Sequence, residues 1–484
     1  MRTNLQKWIG ISCGVLLVII NCIALAMNIE YIPLISLGVV GLYLLIFKLD
    51  FLIYLMAFVV PLSTMFEERD INIGLSFPGE VFMVLIMGVF FIRLFIDLKL
   101  DKKIIKHPVT IAIFIYLGWI LFTSFTSELP IVSFKFFLSK IWFITSCYFI
   151  LFWFVKNDIS KWVRFMNFYM ASLSIVVVIA TYRLQQAGFD AKDMHWIMSP
   201  FYNDHTAYGA AIAIFIPLQI GFLFLSKRSG LSKLLTLLFL CMLFIGLYFS
   251  YCRAAWVSLI GVFGVFVVLK LKIKMSWILA GVGLLALTLY SFSDEIIYTM
   301  ERNTQDSSNK YVEKHIESIS NISTDASNVE RLNRWVSAFG MIEERPWLGW
   351  GPGTYQFVYA AYQKPQYKTI ISTSFGDGGN AHSEYIGPTA ESGFIGLATV
   401  LALMIAILYT GITTYIRARR KDIKIITLAA TLALISYYLH GTLNNFLDTD
   451  KLSLPFWACV AIIVIMNLMY KEEQSNDTCN TPLR

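Results

Sequence analysis

The sequence predicts an all-α polytopic membrane protein with about 12–14 transmembrane helices and a large helical loop outside the cytoplasm. Three observations predict this class. The 484-residue chain is 57% hydrophobic and 15% charged, and its mean hydropathy is +0.65, which is more apolar surface than one soluble core of this size can bury. The apolar residues form runs long enough to cross a bilayer. The basic residues cluster between those runs.

Charge and cysteine content narrow the possible functions. The net charge of +7 would suit a nucleic-acid partner, but the basic clusters flank apolar runs, as loop-anchoring charges do. No nucleic-acid partner is therefore expected. The seven cysteines are scattered without close pairs or CxxC spacing, so neither a disulfide framework nor a zinc site is expected.

Apolar runs of about 17 to 25 residues give about fourteen candidate spans. The first lacks a small-residue cleavage site and is expected to be retained. The second and third are short and leave open a single re-entrant pair. The candidate spans are residues 8–28, 31–47, 50–66, 79–97, 109–126, 135–154, 161–182, 206–226, 232–250, 254–271, 274–292, 388–416, 423–441 and 453–470.

The basic clusters also predict the orientation of the chain. They fall on alternate loops, which should be cytoplasmic by the positive-inside rule, so both termini are expected inside. The longest outward loop then covers about residues 293–387, far beyond an ordinary connection and typical of a functional segment. We therefore expect an N-terminal transmembrane bundle at 1–292, an extracytoplasmic loop at 293–387 that carries part of the active site, and C-terminal helices with a short cytoplasmic tail at 388–484.

Arg253 stands in an apolar context, YFSYCRAAWVSLIG at residues 248–261, at the outward junction of two spans. A charge at mid-membrane costs about 2.5 to 3.5 kcal/mol on insertion scales and much less at the interface, which indicates a position at a mouth. Two interpretations stay open. The guanidinium either binds a functional anion or extends to lipid phosphates.

The long outward loop contains a predicted helix that begins with a capping box at Ser327 and Glu330. Arg331 and Arg334 follow three residues apart, so they project to neighbouring positions where two guanidinium groups can hold one anion. The alternative is a solvated basic edge paired with Glu330, Glu343 or Glu344. The next segment, PWLGWGPGTYQ at 346–356, matches neither phosphate-loop template, and a structural turn that docks its tryptophans on the membrane surface is favoured.

The loop ends in GDGGNAHSEYIGPTAESGFIGL at residues 376–397. His382 follows the glycines and precedes the next span, with Glu384 and Glu391 close in sequence. Histidine is the usual general base near neutral pH because its unperturbed pKa is about 6.5. A purely structural histidine is the alternative.

Further outward polar residues extend the candidate site. Lys135 and Lys140 lie five apart in one span and either hold a second phosphate or extend their ammonium groups to the interface. At another outward end, Arg183, Asn203 and His205 lie where a side chain contacts sugar or caps the next helix, with capping favoured for Asn203 and His205. For His440 and Asp448, in LHGTLNNFLDTD at 439–450, glycan contact and helix capping are weighed equally.

The ordered combination of these motifs resembles the O-antigen ligase and polysaccharide polymerase superfamily. The residues that carry the resemblance are SxCRAAW at a helix end, RxxRW and PWLGWGPGTY in the long loop, and AHSEY with AESGFIGL at the next span. The specific match covers about residues 200 to 400. This chain has His-Ser at 382–383 where many members have His-Asn, so an amide contact beside the base is in doubt.

The resemblance implies a C-type membrane glycosyltransferase in the bacterial cytoplasmic membrane, with its active site outside. It implies an inverting transfer from a polyprenyl-pyrophosphate-linked glycan to a glycan, lipid or protein acceptor, with no cofactor and no required metal. Arg253 and Arg334 would hold pyrophosphate, with Arg331 in support, and His382 would be the base. A flippase or chain-length regulator is a further expected type of partner.

Three function classes are weighed on this basis. A polymerase that joins lipid-linked glycans is slightly preferred, because nothing in the sequence marks a dedicated core-lipid site. The first alternative is an O-antigen-type ligase that moves glycan to a lipid A core or a protein. The second is a polysaccharide transporter or flippase, which would typically show repeat symmetry and broken helices.

Overall fold

A computed structural model describes residues 48–68, 73–96, 101–155, 158–190, 193–226, 228–273, 326–365 and 379–479, with the single positions 19, 21, 291, 368 and 372. The chain divides into two compact units, Met1–Met56 and Ala57–Arg484. In the first unit, the described residues consist mainly of the start of helix α1 (Leu49–Val59). The elements from strand β1 onwards belong to the second unit.

Helices dominate the described residues, and one two-stranded hairpin interrupts them. The hairpin pairs β1 (Thr64–Glu68) with β2 (Ile73–Phe77) in antiparallel register. After α1, the helices are α2 (Gly79–Ile96), α3 (Lys102–Ile105), α4 (Pro108–Phe125), α5 (Pro130–Ile144), α6 (Ile150–Val155), α7 (Ile159–Gln186), α8 (Met194–Ile197), α9 (His205–Leu223), α10 (Gly230–Phe249), α11 (Arg253–Leu271), α12 (Ala326–Glu344), α13 (Tyr355–Val358), α14 (Ile386–Arg417), α15 (Lys421–His440) and α16 (Asp450–Cys479).

Ten segments in the described part of the chain are long and apolar enough to cross a membrane. The predicted all-α polytopic class is therefore confirmed. A π-helical turn joins α5 to α6, so that both form one span at Pro130–Val155. The ten segments are α2, α4, α5 with α6, α7, α9, α10, α11, α14, α15 and α16.

The predicted span at 50–66 is wrong in its length. The apolar helix ends at Leu62, which gives about 21 Å at 1.5 Å per residue, short of a bilayer core of about 30 Å. Pro61 lies in the final 3₁₀ turn, and the chain then becomes extended in the hairpin, which the sequence analysis did not predict. The candidate spans 8–28, 31–47 and 274–292 lie outside the described residues, apart from positions 19, 21 and 291.

The described part of the long loop is an ordered layer on the start of α14. Its first helix, α12, begins at Ala326, one residue before the predicted capping box. Ala338 and Met341 lie three apart on this helix and are buried with Trp350 and Tyr359 in one apolar cluster. The Trp350 indole donates a hydrogen bond to the Met341 carbonyl at 3.1 Å. This packing holds α12 close to the adjacent span.

The glycine-rich turn docks on a kink in α14, which supports its interpretation as a structural turn. Gly349 and Gly351 have φ values of +69° and +116°, conformations that side-chain-bearing residues rarely adopt. The Gly351 amide donates to the Glu391 carbonyl at 2.8 Å, and α14 is broken at Gly393, where φ is +71°. Only one of the two tryptophans of the turn faces outward, since Trp347 is 65% exposed and Trp350 is 9% exposed.

We expect Gly349→Ala to lower the thermal unfolding midpoint of the purified protein in detergent. An added Cβ would lie 2.3 Å from the Glu391 carbonyl carbon, and the positive φ adds a strain of about 1–3 kcal/mol. The matched control is Gly88→Ala in α2, where an added Cβ meets nothing within 4 Å. The control should be neutral or slightly stabilising because alanine favours helix. Equal losses in both variants would contradict the docking of this turn.

Candidate active site

A polar cavity of about 340 Å³ lies where the long loop meets the ends of α9 and α16. Its wall combines cationic, acidic, amide and aromatic side chains from segments distant in sequence. Among the sequence-predicted residues that the structure describes, His382, Arg334, Asn203 and Asp448 line the cavity. Further lining residues come from the hairpin, the starts of α2 and α16, the segment before α9 and the turn between α15 and α16: Ser76, Glu80, Phe201, Tyr202, Asp204, Asn445, Phe446, Asp450 and Lys451.

Arg334 reaches the cavity wall as a buried, paired cation. Its Nε lies 2.8 Å from Glu330 Oε1, and the two side chains are 8% and 4% exposed. Its Nη1 donates to the Asn380 carbonyl at 3.0 Å, and the guanidinium carbon lies 5.3 Å from the centre of the Tyr359 ring. The expected alternative of pairing with Glu330 is therefore found, but as a buried pair and not a solvated edge. These contacts hold the guanidinium in one orientation.

His382 is placed by a tight turn that packs over Arg334. The residue has a φ of +48°, a left-handed conformation in which histidine is several-fold enriched. Its amide donates to Asn380 Oδ1 at 3.0 Å, and Asn380 Nδ2 donates to the Asn445 carbonyl at 3.0 Å. A Cβ on Gly379 would lie 1.9 Å from Arg334 Nη1. Glycine there allows the chain to cross the guanidinium closely.

The surroundings of His382 favour a neutral imidazole. Burial, which is the largest cause, and the charges of Arg334 and Arg331 together lower the pKa of His382 to about 3, and the charge of Asp204 opposes them. Its Nδ1 is buried and makes no hydrogen bond to any described residue. A neutral ring can accept a proton, and an anion bound at the arginines would raise the pKa of His382 by offsetting their charge.

Lys140 and Glu384 both bind the turn between α15 and α16. The Lys140 ammonium lies 2.7 Å from Asp448 Oδ1 and donates to the Leu447 carbonyl at 2.9 Å. The Glu384 carboxylate accepts from the amides of Phe446 and Leu447 at 2.9 and 3.0 Å. Burial raises the pKa of Glu384, and the charge of Asp448 raises it further. Both side chains therefore help to position Asp448 at the cavity wall.

The segment before α9 corrects one prediction. Asp204 is the N-cap residue of this helix, and its Oδ1 accepts from the Ala207 amide at 2.7 Å. The expectation that Asn203 or His205 caps the helix is wrong, because the carboxylate between them already satisfies that amide. Asn203 is exposed at the cavity wall, His205 is the first helical residue, and Arg183 Nη1 donates to the Ser199 carbonyl at 2.5 Å.

Arg253 is the first residue of α11, directly after the buried Cys252. Burial raises the pKa of Cys252 to about 12. The charge of Asp204 also raises the pKa of this thiol, and the charge of Arg331 lowers it. The start of α11 therefore lies near Arg331 of α12 and near Asp204, the N-cap residue of α9. The positive end of a helix dipole favours an anion at such a position.

Two predicted binding residues lie elsewhere. The Glu391 carboxylate, in the first turns of α14, accepts from the Tyr355 amide at 3.0 Å and so ties the loop to that span. Lys135 lies exposed on α5, a turn and a half from Lys140. Their predicted contacts with substrate stay predictions.

Three residues that were not predicted from the sequence connect the site. Asn380 contacts Arg334, His382 and Asn445 at once. Its sequence signal is its place directly after two glycines and two residues before His382, where an asparagine side chain can form an Asx turn. Asp204 carries the ordinary signal of an N-cap before a helix. Asn445 has no sequence signal that distinguishes it.

Part of the chain matches a known protein family. Residues 236–401, about a third of the chain, match a family described as O-antigen ligase. This range holds Arg253, Arg331, Arg334, His382, Glu384 and Glu391, and it does not reach Arg183. No curated protein matches the chain. The family match and the apolar helices confirm the resemblance stated above, and they indicate a multi-pass membrane enzyme of glycosyltransferase type that uses a lipid-linked glycan donor and an acceptor.

Proposed function

Because the chain carries an O-antigen ligase domain at residues 236–401, we propose that it is a membrane glycosyltransferase that transfers or polymerises polyprenyl-pyrophosphate-linked oligosaccharide. The reaction takes place on the outer face of the bacterial cytoplasmic membrane, and both termini lie inside. One observation carries the assignment of the site. Arg334 and His382, predicted separately from sequence, line the same cavity. A cation that can stabilise the leaving group therefore lies in the same cavity as a base that can deprotonate the acceptor.

Arg334 stabilises the departing pyrophosphate. The bond between the anomeric carbon and the phosphate oxygen breaks, and its electron pair leaves with the polyprenyl pyrophosphate. Negative charge grows on this group, and guanidinium donors fixed in a poorly solvated site stabilise such charge strongly. Arg331 and Arg253 add positive charge on the same side, so the step requires no metal ion.

His382 activates the acceptor. An acceptor hydroxyl attacks the anomeric carbon from the face opposite the pyrophosphate, and the neutral imidazole takes its proton as the new glycosidic bond forms. Attack from the opposite face inverts the configuration. Pyrophosphate bound at the arginines offsets their charge and raises the pKa of His382, so donor binding prepares the base for its role.

The remaining candidate residues act around these two groups. Lys140 and Lys135 would assist phosphate binding from α5, and Glu384 and Glu391 would hold the loop segments that frame the cavity. Arg183, Asn203 and His205 would contact glycan or position the segment before α9. The long loop at 293–387, between the bundle at 1–292 and the helices at 388–484, carries part of this site.

Polymerase and ligase share this chemistry and differ in the acceptor. We prefer polymerase, because nothing in the sequence marks a dedicated core-lipid site. Ligase transfer to a lipid A core or protein is the alternative, and the family match is compatible with both. The transporter alternative gains no support from this match. A flippase or chain-length regulator would act beside the enzyme as a partner.

Purified protein in proteoliposomes is expected to transfer glycan from a polyprenyl-pyrophosphate donor equally well with and without EDTA. The physical reason is that the arginines supply the charge that a metal would otherwise supply. Product length distinguishes polymerase from ligase activity. A ladder of repeat units indicates polymerase, and a single transfer to a lipid A core or protein indicates ligase. Loss of product with EDTA, restored by Mg²⁺, would contradict metal independence.

A further inference from the structure

The cavity wall is built by two groups of segments of different chemistry, which we call its two sides. Arg334 and His382 form one side, and Asn203, Asp204, Asn445 and Asp448 lie among the residues of the wall from the other segments. On the proposed function, the first side takes the pyrophosphate donor. Resting on that proposed function, we propose that the second side is a subsite for the terminal sugar of the acceptor, and that it binds an uncharged sugar in preference to a uronic acid.

The charges on the second side disfavour an anionic sugar. Lys451 lies 3.4 Å from Asp450, and Lys140 lies 2.7 Å from Asp448, so each lysine already contacts a carboxylate. Asp204 accepts hydrogen bonds from the Thr206 hydroxyl and the Ala207 amide, each at 2.7 Å, and both donors are neutral. Glu80 also lines the cavity, so four acidic groups stand against two lysines. A uronate placed there would meet a like charge in a poorly solvated cavity.

The hydrogen-bonding groups suit sugar hydroxyls. Asn445 Oδ1 is buried at the wall and has no hydrogen-bond partner among the described residues, and a buried acceptor without a donor is unfavourable. A hydroxyl supplies that donor. Asn203 adds an exposed amide with both donors and an acceptor. The two amide groups therefore favour a ligand rich in hydroxyls, and this argument does not depend on the charges of the carboxylates.

The shape and the aromatic rings suit one end of a glycan. The volume of about 340 Å³ falls near the lower end of small-molecule pockets, about 300–1,000 Å³. Because the donor group occupies part of this volume on the proposed function, the remainder suits one terminal sugar and not a long chain. Phe201, Tyr202 and Phe446 line the wall and offer apolar faces to the C–H side of a pyranose ring.

His382 lines the cavity together with Arg334 and Asp204. The charges of Arg334 and Asp204 shift the pKa of its ring in opposite directions, so the imidazole is close to both. A sugar seated against Asp204 and Asn445 would therefore present a hydroxyl to the base while the pyrophosphate binds on the arginine side. The second side then selects the acceptor, and the first side selects the donor.

The test measures binding directly, so it does not depend on turnover. Protein in nanodiscs is titrated by saturation-transfer NMR with matched methyl glycosides: glucoside against glucuronide, galactoside against galacturonide, and mannoside against mannuronide. We expect at least one neutral glycoside to bind about tenfold or more tightly than its uronide. Asp204→Asn should reduce this preference to less than threefold, because asparagine keeps the helix cap and removes the charge.

The control is Asp158→Asn, another aspartate N-cap, whose Oδ1 accepts from the Ser160 amide at the start of α7. The control should keep the full preference of the native chain. Equal binding of each pair by the native chain, binding of none of the six glycosides, or an unchanged preference in Asp204→Asn, would overturn the subsite. Selective binding of neutral glycosides by a protein that forms no glycosidic bond would support the subsite and overturn the proposed transfer, so the two failures are distinguishable.

Discussion

Replacing His382 with asparagine is expected to lower the rate of glycan transfer by about 100- to 10,000-fold, the usual contribution of a general base. The protein should remain folded, because asparagine tolerates the left-handed conformation at this position, where φ is +48°. An asparagine side chain offers hydrogen bonds but takes no proton at neutral pH. The rate is measured as new glycosidic bonds per enzyme at saturating donor, and the unfolding midpoint is measured on the same preparation.

The chain offers a matched control in His107. This histidine is also buried, 3% exposed; its Nε2 lies 3.2 Å from Asn467 Oδ1, and its Nδ1 accepts from the Val109 amide as the N-cap of α4. Asparagine is a good N-cap residue, so His107→Asn should keep both the fold and the transfer rate. Transfer by His382→Asn at the native rate would remove His382 from the reaction.

Replacing Arg334 with leucine is expected to abolish transfer and to destabilise the protein by about 3–5 kcal/mol, the typical cost of leaving one partner of a buried ion pair alone. Glu330, 4% exposed on its side chain, would lose its guanidinium partner. A loss of this size is a large fraction of the stability of a folded domain. The thermal unfolding midpoint in detergent and the transfer rate are measured together.

A double variant separates the structural role of Arg334 from the catalytic one. Replacing Arg334 and Glu330 with leucine removes the whole pair, and such replacements are often neutral or stabilising. We therefore expect the double variant to regain most of the unfolding midpoint while transfer stays absent, because no guanidinium remains at the leaving group. Transfer at the native rate by the double variant would show that Arg334 acts only through stability.

The sequence was sufficient to predict the spans and the charged residues at their outer ends, because a charge in an apolar run is costly and conspicuous. Arg253 was identified on that ground, whereas the arginine spacing on a predicted loop helix pointed to Arg334, and the position just before a span pointed to His382. The connection of Arg334 to His382 through Asn380 was not predictable, because it joins positions 46 residues apart. The pairing of Lys140 with Asp448 spans 308 residues. Contacts of this kind depend on how the helices pack, and single-sequence patterns do not contain that information.

Two local features were also missed, each for a physical reason. The residues of the hairpin after α1 were predicted to be the end of a span and the start of a loop. The apolar run continues past Pro61 and so suggested a longer helix, whereas the helix ends in a 3₁₀ turn that contains this proline. The cap of α9 was assigned to the neighbours of Asp204, although aspartate is among the strongest N-cap residues. The glycine-rich turn has the structural form expected of it, because positive φ values and close approach of the backbone are what glycine allows, but Trp350 packs inside the loop and not on an outer surface.

The central claim is that this chain makes a glycosidic bond with the cavity of Arg334 and His382. The most direct measurement incubates purified protein with a polyprenyl-pyrophosphate-linked glycan and quantifies both the released polyprenyl pyrophosphate and the new glycosidic bond by mass spectrometry. The account predicts equal amounts of the two products from the native chain and from His107→Asn, and neither product above background from His382→Asn. Glycan that crosses the bilayer while its link to pyrophosphate stays intact would contradict the account.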